Sequence, residues 1–341
     1  MTAMRAVVIE KPGVARLSRL DIPDPAAGEV VVSVAAAGVC GSDLEILRGS
    51  RPQPYVRYPI VPGHEWAGTV AAVGVGVRGV GVGDRVVAEG FRSCGACDRC
   101  REGRTNLCSS DYAETGFTHQ GAFAEYVCVP ARLIHNLGPD ADLEAAALIE
   151  PAACVAEGLL AAHLQPDLRI AVVGAGTLGL LAVSMLSLTS PARLVVVGSR
   201  ARRLELASRL GATETYDVNA GPHGSLADAF DLVFEAANRP DAAVTALMLA
   251  RRGGTVILEG ISGVTEPAIR VDLITLKHLE VRGIFGASGS AWTYAVRLFG
   301  SGGLALSELI SHRFGLEDFQ LAFDTLADRG GGAVKVQLLP R

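Results

Sequence analysis

Lysine is nearly missing from this 341-residue chain: of its 31 basic residues only Lys11, Lys277 and Lys335 are lysine. The bias accompanies abundant alanine, glycine and valine and reads as a property of coding, so no function is drawn from it. Aromatic residues are scarce as well, at 5%. No run approaches the roughly 18 consecutive apolar residues of a membrane-crossing helix, and the first residues lack the apolar core and cleavage site of a secretory signal. These absences predict a soluble cytoplasmic protein with no membrane partner. Positive charge is not in excess: the formal net charge is −5, so no general field gathers phosphodiester backbones, and nucleic acid is not an expected partner. Internal repeats and low-complexity linkers are missing too.

What is present is ample material for a core. Hydrophobic residues make up 49% and charged residues 20% of the chain, well inside the globular range. Single cores stop growing near about 250–300 residues, so two domains are expected. The first 135 or so residues carry short valine-rich runs (Glu29 to Ala35, Gly68 to Val73, Arg85 to Glu89, Ala122 to Val129) between Gly, Pro and Asp, the pattern of strands and turns. Leu143 to Leu164 reads as a helical connector, with Pro151 marking a break or a helix start. Strands at Ile170 to Val173, Leu194 to Val197, Leu232 to Glu235, Thr255 to Glu259 and Leu279 to Ile284 then alternate with helices at Leu178 to Leu188, Arg202 to Leu210 and Asp241 to Ala250. That alternation predicts an α/β fold with a doubly wound parallel sheet. Helical patterns at Trp292 to Gly300 and Leu316 to Arg329 and an apolar stretch at Val334 to Leu339 suggest that the chain returns to the first domain.

Gly174-Ala175-Gly176-Thr177-Leu178-Gly179 follows a predicted strand and opens a predicted helix, the context that gives a glycine-rich turn its meaning as a dinucleotide site. Gly174 permits the tight turn, Gly176 admits a pyrophosphate, Gly179 allows close helix packing, and the helix N-terminus faces the anion. After the next strand, where an acid usually receives the ribose 2′-hydroxyl of NAD, the chain reads Gly198-Ser199-Arg200. A small residue, a hydroxyl donor and a guanidinium suit the 2′-phosphate of NADP, with Arg202 and Arg203 as additions, so NADP is favoured over NAD. Cys94, Cys97, Cys100 and Cys108 crowd into one loop. In a reducing compartment four such thiolates suit a closed, structural zinc site better than two disulfides. Cys40 and His64, each in a glycine-bearing segment, offer a thiolate and an imidazole for a second, open zinc site, with Glu65 and Glu150 as carboxylate candidates. Taken alone, a single Cys and a single His are as readily packing residues.

Together, and in this order, Cys40-Gly-Ser-Asp43, Gly63-His64-Glu65-x2-Gly68, the four-cysteine lobe, Glu150-Pro151 and Gly174-x-Gly-x2-Gly179 resemble the zinc-dependent medium-chain alcohol dehydrogenases, from near Met4 to near Leu339. The resemblance implies a GroES-like β domain with the cysteine lobe over 1–155, a Rossmann cofactor domain over 156–290, a return to the first domain over 291–341, and an active site in the cleft. It implies that Cys40, His64 and Glu150 hold a catalytic zinc, Glu65 trading places with Glu150 or water, and that Asp43 accepts from the His64 ring. Ser42 would pass the substrate proton toward the cofactor ribose. Many relatives finish that relay with a histidine where this chain has Glu45, so either Glu45 or water replaces the base. The backbone near Gly260, Ile261 and Ser262, and near Ile284 and Phe285, would line the nicotinamide.

The implied reaction is hydride transfer between a nicotinamide cofactor and a secondary alcohol or ketone. The Glu150 type of metal site and the runs around His64 and Phe117, similar to those of sorbitol, threonine and aminocyclitol dehydrogenases, favour a polyol or aminocyclitol. Three alternatives stand beside this reading: NADPH-dependent reduction of a small ketone or aldehyde, a non-catalytic NADP-binding sensor, and a relative that eliminates from, or reduces, an activated alkene. Cys128 and Cys154 read as core residues, and His119 as either a cleft or a surface residue. The apolar stretch from Val256 through Phe285 offers a sheet edge for pairing across a two-fold axis, which predicts a homodimer or homotetramer.

Overall fold

Alternating burial along valine-rich strands builds the first part of the chain in a computed structural model that describes residues 3–220, 223–263, 269–328 and 330–340. A hairpin of β1 (Ala3–Lys11) and β2 (Val14–Asp21) comes first. It is followed by β3 (Glu29–Val39), α1 (Gly41–Arg48), β4 (Glu65–Val73), β5 (Arg85–Ala88), α2 (Asp98–Arg101), β6 (Tyr126–Pro130), β7 (Ile134–Asn136) and α3 (Leu143–Ala146). The hairpin is absent from the sequence reading because most of β2 is exposed and carries no apolar alternation. The strand expected over 122–129 starts only at Tyr126, since Ala124 makes a single bridge to Ala6 of β1 instead.

The expected helix over Leu143 to Leu164 is two helices, because α3 stops at Ala146 and α4 (Ile149–Ala161) starts afresh. Pro151 lies in the first turn of α4, where a missing N–H breaks no helical bond. Then come β8 (Arg169–Val173), α5 (Thr177–Ser187), β9 (Arg193–Gly198), α6 (Ala201–Arg209), β10 (Glu214–Asp217), β11 (Phe230–Glu235), α7 (Ala242–Leu249), β12 (Ala250–Leu258), α8 (Val271–Leu276) and β13 (Glu280–Gly283). These six strands are parallel in the order β10-β9-β8-β11-β12-β13. Ile170 to Val172 and Leu194 to Val197 are buried on both faces, which explains their unbroken apolar runs. The strand order reverses between β8 and β11, so the carboxyl ends of those strands flank the crevice where such sheets take ligands.

The chain closes with α9 (Gly289–Gly300), β14 (Ile310–Gly315), α10 (Phe319–Ala327) and β15 (Lys335–Leu339). A 3₁₀ turn at Leu316–Asp318 precedes α10. Arg329, the expected end of that helix, lies outside the described residues, as does the 264–268 part of the apolar stretch. β15 inserts between β14 and β3, completing the sheet β14-β15-β3-β4-β5-β7 with β6 also paired to β3. Val32, Val34, Trp66, Phe123, Val127, Phe323 and Leu338 share its core. The chain thus forms two units, Met1–Glu150 with Ser288–Gly300 and Leu306–Arg341, and Pro151–Ala287 with Ser301–Ala305. No described helix is long and apolar enough to cross a membrane.

Candidate metal and cofactor sites

Cys40 ends the strand-to-helix turn between β3 and α1, and His64 immediately precedes β4, the neighbour of β3 in the sheet. Sheet pairing therefore brings two distant segments together: ligand atoms of Cys40, His64 and Glu65 all lie within 4.8 Å of one another. Asp43, fully buried, joins the two segments from below. Its carboxylate accepts from the Cys40 N–H at 2.8 Å and the Gly63 N–H at 3.3 Å. The Asp43 to His64 contact implied by the resemblance is 3.8 Å to Nδ1, too long for a hydrogen bond. Asp43 holds backbone here, and His64 Nδ1 is buried with no hydrogen-bond partner among the described residues. Phe117 packs on the His64 ring at 4.7 Å between centroids.

The electrostatics of this cluster are those of a cation site. Burial opposes protonation of His64, but hydrogen bonding to Cys40 and the nearby charges of Glu150 and Asp43 outweigh it and hold the ring well above its usual range. Burial raises Asp43, and it pushes Glu150 up to about 7 with help from Glu65 and Glu114. Glu114, buried and bonded by the Tyr112 hydroxyl, is raised by burial as well. Carboxyl groups crowded around one thiol and one imidazole repel each other, and the charges of His64 and Lys335 offset this only in part, since Glu150 still stands above its usual range. The donor set fits zinc, which takes S, N and O ligands. Glu65, not Glu150, stands in the three-residue cluster, while Glu150 acts on it through its charge.

Several members of this environment are invisible to sequence spacing. Lys335 of β15 donates to Glu65 Oε2 at 2.5 Å, both side chains being buried. Arg51 bonds Glu45 at 3.3 Å and the Tyr55 carbonyl at 3.2 Å, and lies 4.1 Å over the Phe117 ring. Glu45 is thus tied to a cation, a contact its place after Cys40 does not announce. Ser42 Oγ is buried and has no hydrogen-bond partner among the described residues.

In the loop around α2 the Sγ atoms of Cys94, Cys97, Cys100 and Cys108 also lie within 4.8 Å of one another. The Cys94–Cys100 and Cys97–Cys108 separations are each 3.9 Å. A tetrahedron with Zn–S bonds of about 2.3 Å has edges of about 3.8 Å, whereas a disulfide needs about 2.05 Å. N–H groups of Ala96 and Cys97 point at Cys94 Sγ, and that of Cys94 at Cys108 Sγ. The Ser109 and Ser110 hydroxyls lead the lowering of Cys97 to about 5 and Cys94 to about 7, while burial first, then its neighbours, pushes Cys100 up to about 11. Four thiols this close cannot all ionise without a cation among them.

In the second unit the glycine turn follows β8 and leads into α5. Gly174 has φ +107°, which disfavours any side chain, and a Cβ on Gly179 would lie 1.8 Å from the Gly174 carbonyl oxygen. Gly176 faces open space whose nearest flank is Arg203 Nη1, 4.0 Å from where its Cβ would stand. Thr177 and Leu178 open the helix. Gly198 ends β9, Ser199 is exposed with its carbonyl held by Asn219 at 3.0 Å, and Arg200 is the N-cap of α6. Burial first, and then the Arg200 cation, lower Arg203 to about 10. At the same end of the sheet Glu235 accepts from the Ala237 N–H at 2.7 Å and the Gly260 N–H at 3.2 Å, and burial raises it to about 7. The Ile284 N–H bonds Leu258 at 2.9 Å, and Ile261 and Phe285 stand exposed.

Residues 26–139 match the family model described as the alcohol dehydrogenase GroES-like domain, and residues 177–301 match that of the zinc-binding dehydrogenases. The chain is 32% identical over 323 residues to the L-threonine 3-dehydrogenase of Aeromonas hydrophila, covering 92% of this chain and 94% of that one. A solved protein from Sinorhizobium meliloti 1021, described as a zinc-binding dehydrogenase bound to NADP, superposes with a TM-score of 0.92 at 30% identity over the whole of both chains. An alcohol dehydrogenase from Escherichia coli CFT073, solved with NADH, gives 0.91 at 31% identity over 99% of each.

Proposed function

The chain belongs to the zinc-binding medium-chain dehydrogenase/reductase family, and from that premise we propose that it is an NADP-preferring dehydrogenase of a secondary alcohol, a polyol or aminocyclitol, acting in either direction between alcohol and ketone. The observation that carries this reading is the convergence of Cys40, His64 and Glu65, with Ser42, two residues after Cys40, holding a buried hydroxyl that has no hydrogen-bond partner among the described residues. Cys40 and His64, completed by Glu65 or Glu150, are the residues that would hold a catalytic zinc, and Cys94, Cys97, Cys100 and Cys108 those that would hold a structural one. When bound, zinc would supply Lewis acidity at the substrate oxygen and the nicotinamide cofactor would supply hydride donor or acceptor chemistry. Ser42 Oγ would take up the substrate's hydroxyl proton and pass it on. Because Arg51 occupies Glu45, water takes the last step that a histidine takes in many relatives. Asp43 fixes the backbone that carries Cys40 and His64.

Arg51, Glu45, Tyr112 and Glu114 give the surroundings of His64 a polar wall, which suits a substrate with several hydroxyl or amino groups better than a hydrocarbon one. The preference for NADP rests on Ser199, Arg200 and Arg203: two guanidinium groups that repel each other beside the glycine turn favour an anion between them. Gly174, Gly176, Thr177, Leu178 and Gly179 receive the pyrophosphate, while Gly260, Ile261, Ile284 and Phe285 line the nicotinamide. A homodimer or homotetramer forms through the outer edge of β13.

Fluorescence titration with NADPH and NADH, with metal content measured on the same sample, tests this reading. Tight NADPH binding that Arg200→Ala weakens, with about two zinc ions per chain, is the expected result. Cys40→Ala should remove one of the two ions and all turnover while leaving NADPH binding intact. Preference for NADH, or turnover that survives Cys40→Ala, would overturn it.

A further inference from the structure

Three strands lie side by side where the candidate metal site meets the sheet. In the β3–β4 register Gly38 faces Glu65, and in the β15–β3 register Gly38 faces Gln337 and Val39 faces Val336. Glu65 and Lys335 therefore sit on strands either side of β3, 270 residues apart in sequence. Their side chains meet by crossing over the middle strand. The crossing is possible because position 38 has no side chain: a Cβ built there would lie 2.2 Å from Glu65 Oε2 and 3.2 Å from Glu65 Cβ. Oε2 is the oxygen that receives Lys335 Nζ at 2.5 Å, and the same ammonium stands 3.5 Å from the Val39 carbonyl. Lys335 is 3% exposed and Glu65 2%, so water does not compete for either partner.

A buried carboxylate that loses its cation has one other positive partner in reach, a metal held by Cys40 and His64, because a carboxylate oxygen of Glu65 lies within 4.8 Å of the ligand atoms of both. We infer that Lys335 is a positioning residue: it holds Glu65 across Gly38 and away from the metal, leaving a coordination position for substrate. The inference rests on the metal reading of the Cys40–His64 site. It makes Glu65 a ligand in waiting, engaged when the ammonium is drawn off and disengaged when it returns.

The test compares zinc-loaded wild type, Lys335→Met, Lys335→Arg and Lys335→Met with Glu65→Gln. Two readouts are followed: release of zinc to a chromophoric chelator, and the visible spectrum of the cobalt-substituted protein, which reports coordination number. Lys335→Met frees Glu65 to ligate, so release of the Cys40-dependent ion slows by about tenfold, the scale of outer-shell effects on metal affinity, and the cobalt bands change. Lys335→Arg restores wild-type behaviour, and Glu65→Gln in the Lys335→Met background abolishes the slowing. Gly38→Ala, which pushes the same oxygen off Lys335 from the other side, gives the same change and serves if Lys335→Met fails to fold. Unchanged or faster release together with unchanged cobalt bands, in whichever of these variants folds, overturns the inference while leaving the metal site standing. If the wild type loses no ion on Cys40→Ala, the metal reading fails and the inference falls with it.

Discussion

At the scale of single residues the site separates groups that act from groups that hold. Ser42 Oγ is buried without a hydrogen-bond partner among the described residues, whereas Glu45, three residues on, is bonded to Arg51. A hydroxyl placed to carry a proton typically contributes a factor of about 10² or more. Ser42→Ala is therefore expected to lower kcat by about a hundredfold or more with NADPH affinity unchanged, and Glu45→Gln to leave kcat close to wild type. Steady-state kinetics paired with cofactor titration decides. A loss in Glu45→Gln as deep as that in Ser42→Ala would make Glu45 the terminal base and would require the Arg51 bond to open during turnover.

Among the elements, the parallel sheet carries a charged clamp at its other end. Asp231, at the start of β11, accepts from Arg169 of β8 through the backbone N–H at 2.8 Å and Nε at 3.0 Å, and from Arg251 of β12 at 2.5 Å. These bonds, led by Arg169, hold its carboxyl well below the usual range. Because the folded value is lowered, the stabilisation is complete above the ordinary Asp pKa of about 3.9 and is lost as pH falls toward the folded value. Asp231→Asn should cost about 1 kcal/mol at pH 7, discounted for the partly exposed arginines. Denaturant midpoints of the two proteins should converge below pH 4; a constant gap would mean that packing, not charge, accounts for the difference. Gly179→Ala tests the opposite end: its Cβ would displace the Gly174 carbonyl, so NADPH binding should weaken by at least about tenfold, or ~1.4 kcal/mol. Undiminished NADPH affinity would show that the turn accommodates the methyl without moving its ligand-facing N–H groups.

Considered as a whole molecule, the chain was legible where chemistry is contiguous. The glycine turn, the four-cysteine lobe and the strand-helix alternation are local patterns, and each stands in the structure where it was read. The hairpin β1–β2 was not, because its exposed second strand has no apolar period, and the break before α4 needed the position of Pro151 within a turn. Lys335, Arg51 and Glu114 were missed for a different reason: their partners are set by sheet register and loop return, and nothing in the spacing of Lys335 and Glu65 marks them as neighbours. Assembly is where the sequence pattern makes its last claim. β13 ends the six-stranded sheet, and apolar side chains of Ile261, Val271, Leu276 and Phe285 are exposed near it in the chain. An unpaired strand edge invites a second copy. The Ile284 N–H points to Leu258 of β12, so by alternation the N–H of Val281 points outward, where proline is tolerated in an edge strand. Val281→Pro should therefore preserve the fold and NADPH binding while removing a bond from any sheet that continues across a two-fold axis. Sedimentation is expected to find a dimer or tetramer for the wild type and the next smaller species for Val281→Pro; an unaltered assembly with intact NADPH binding would move the interface away from β13.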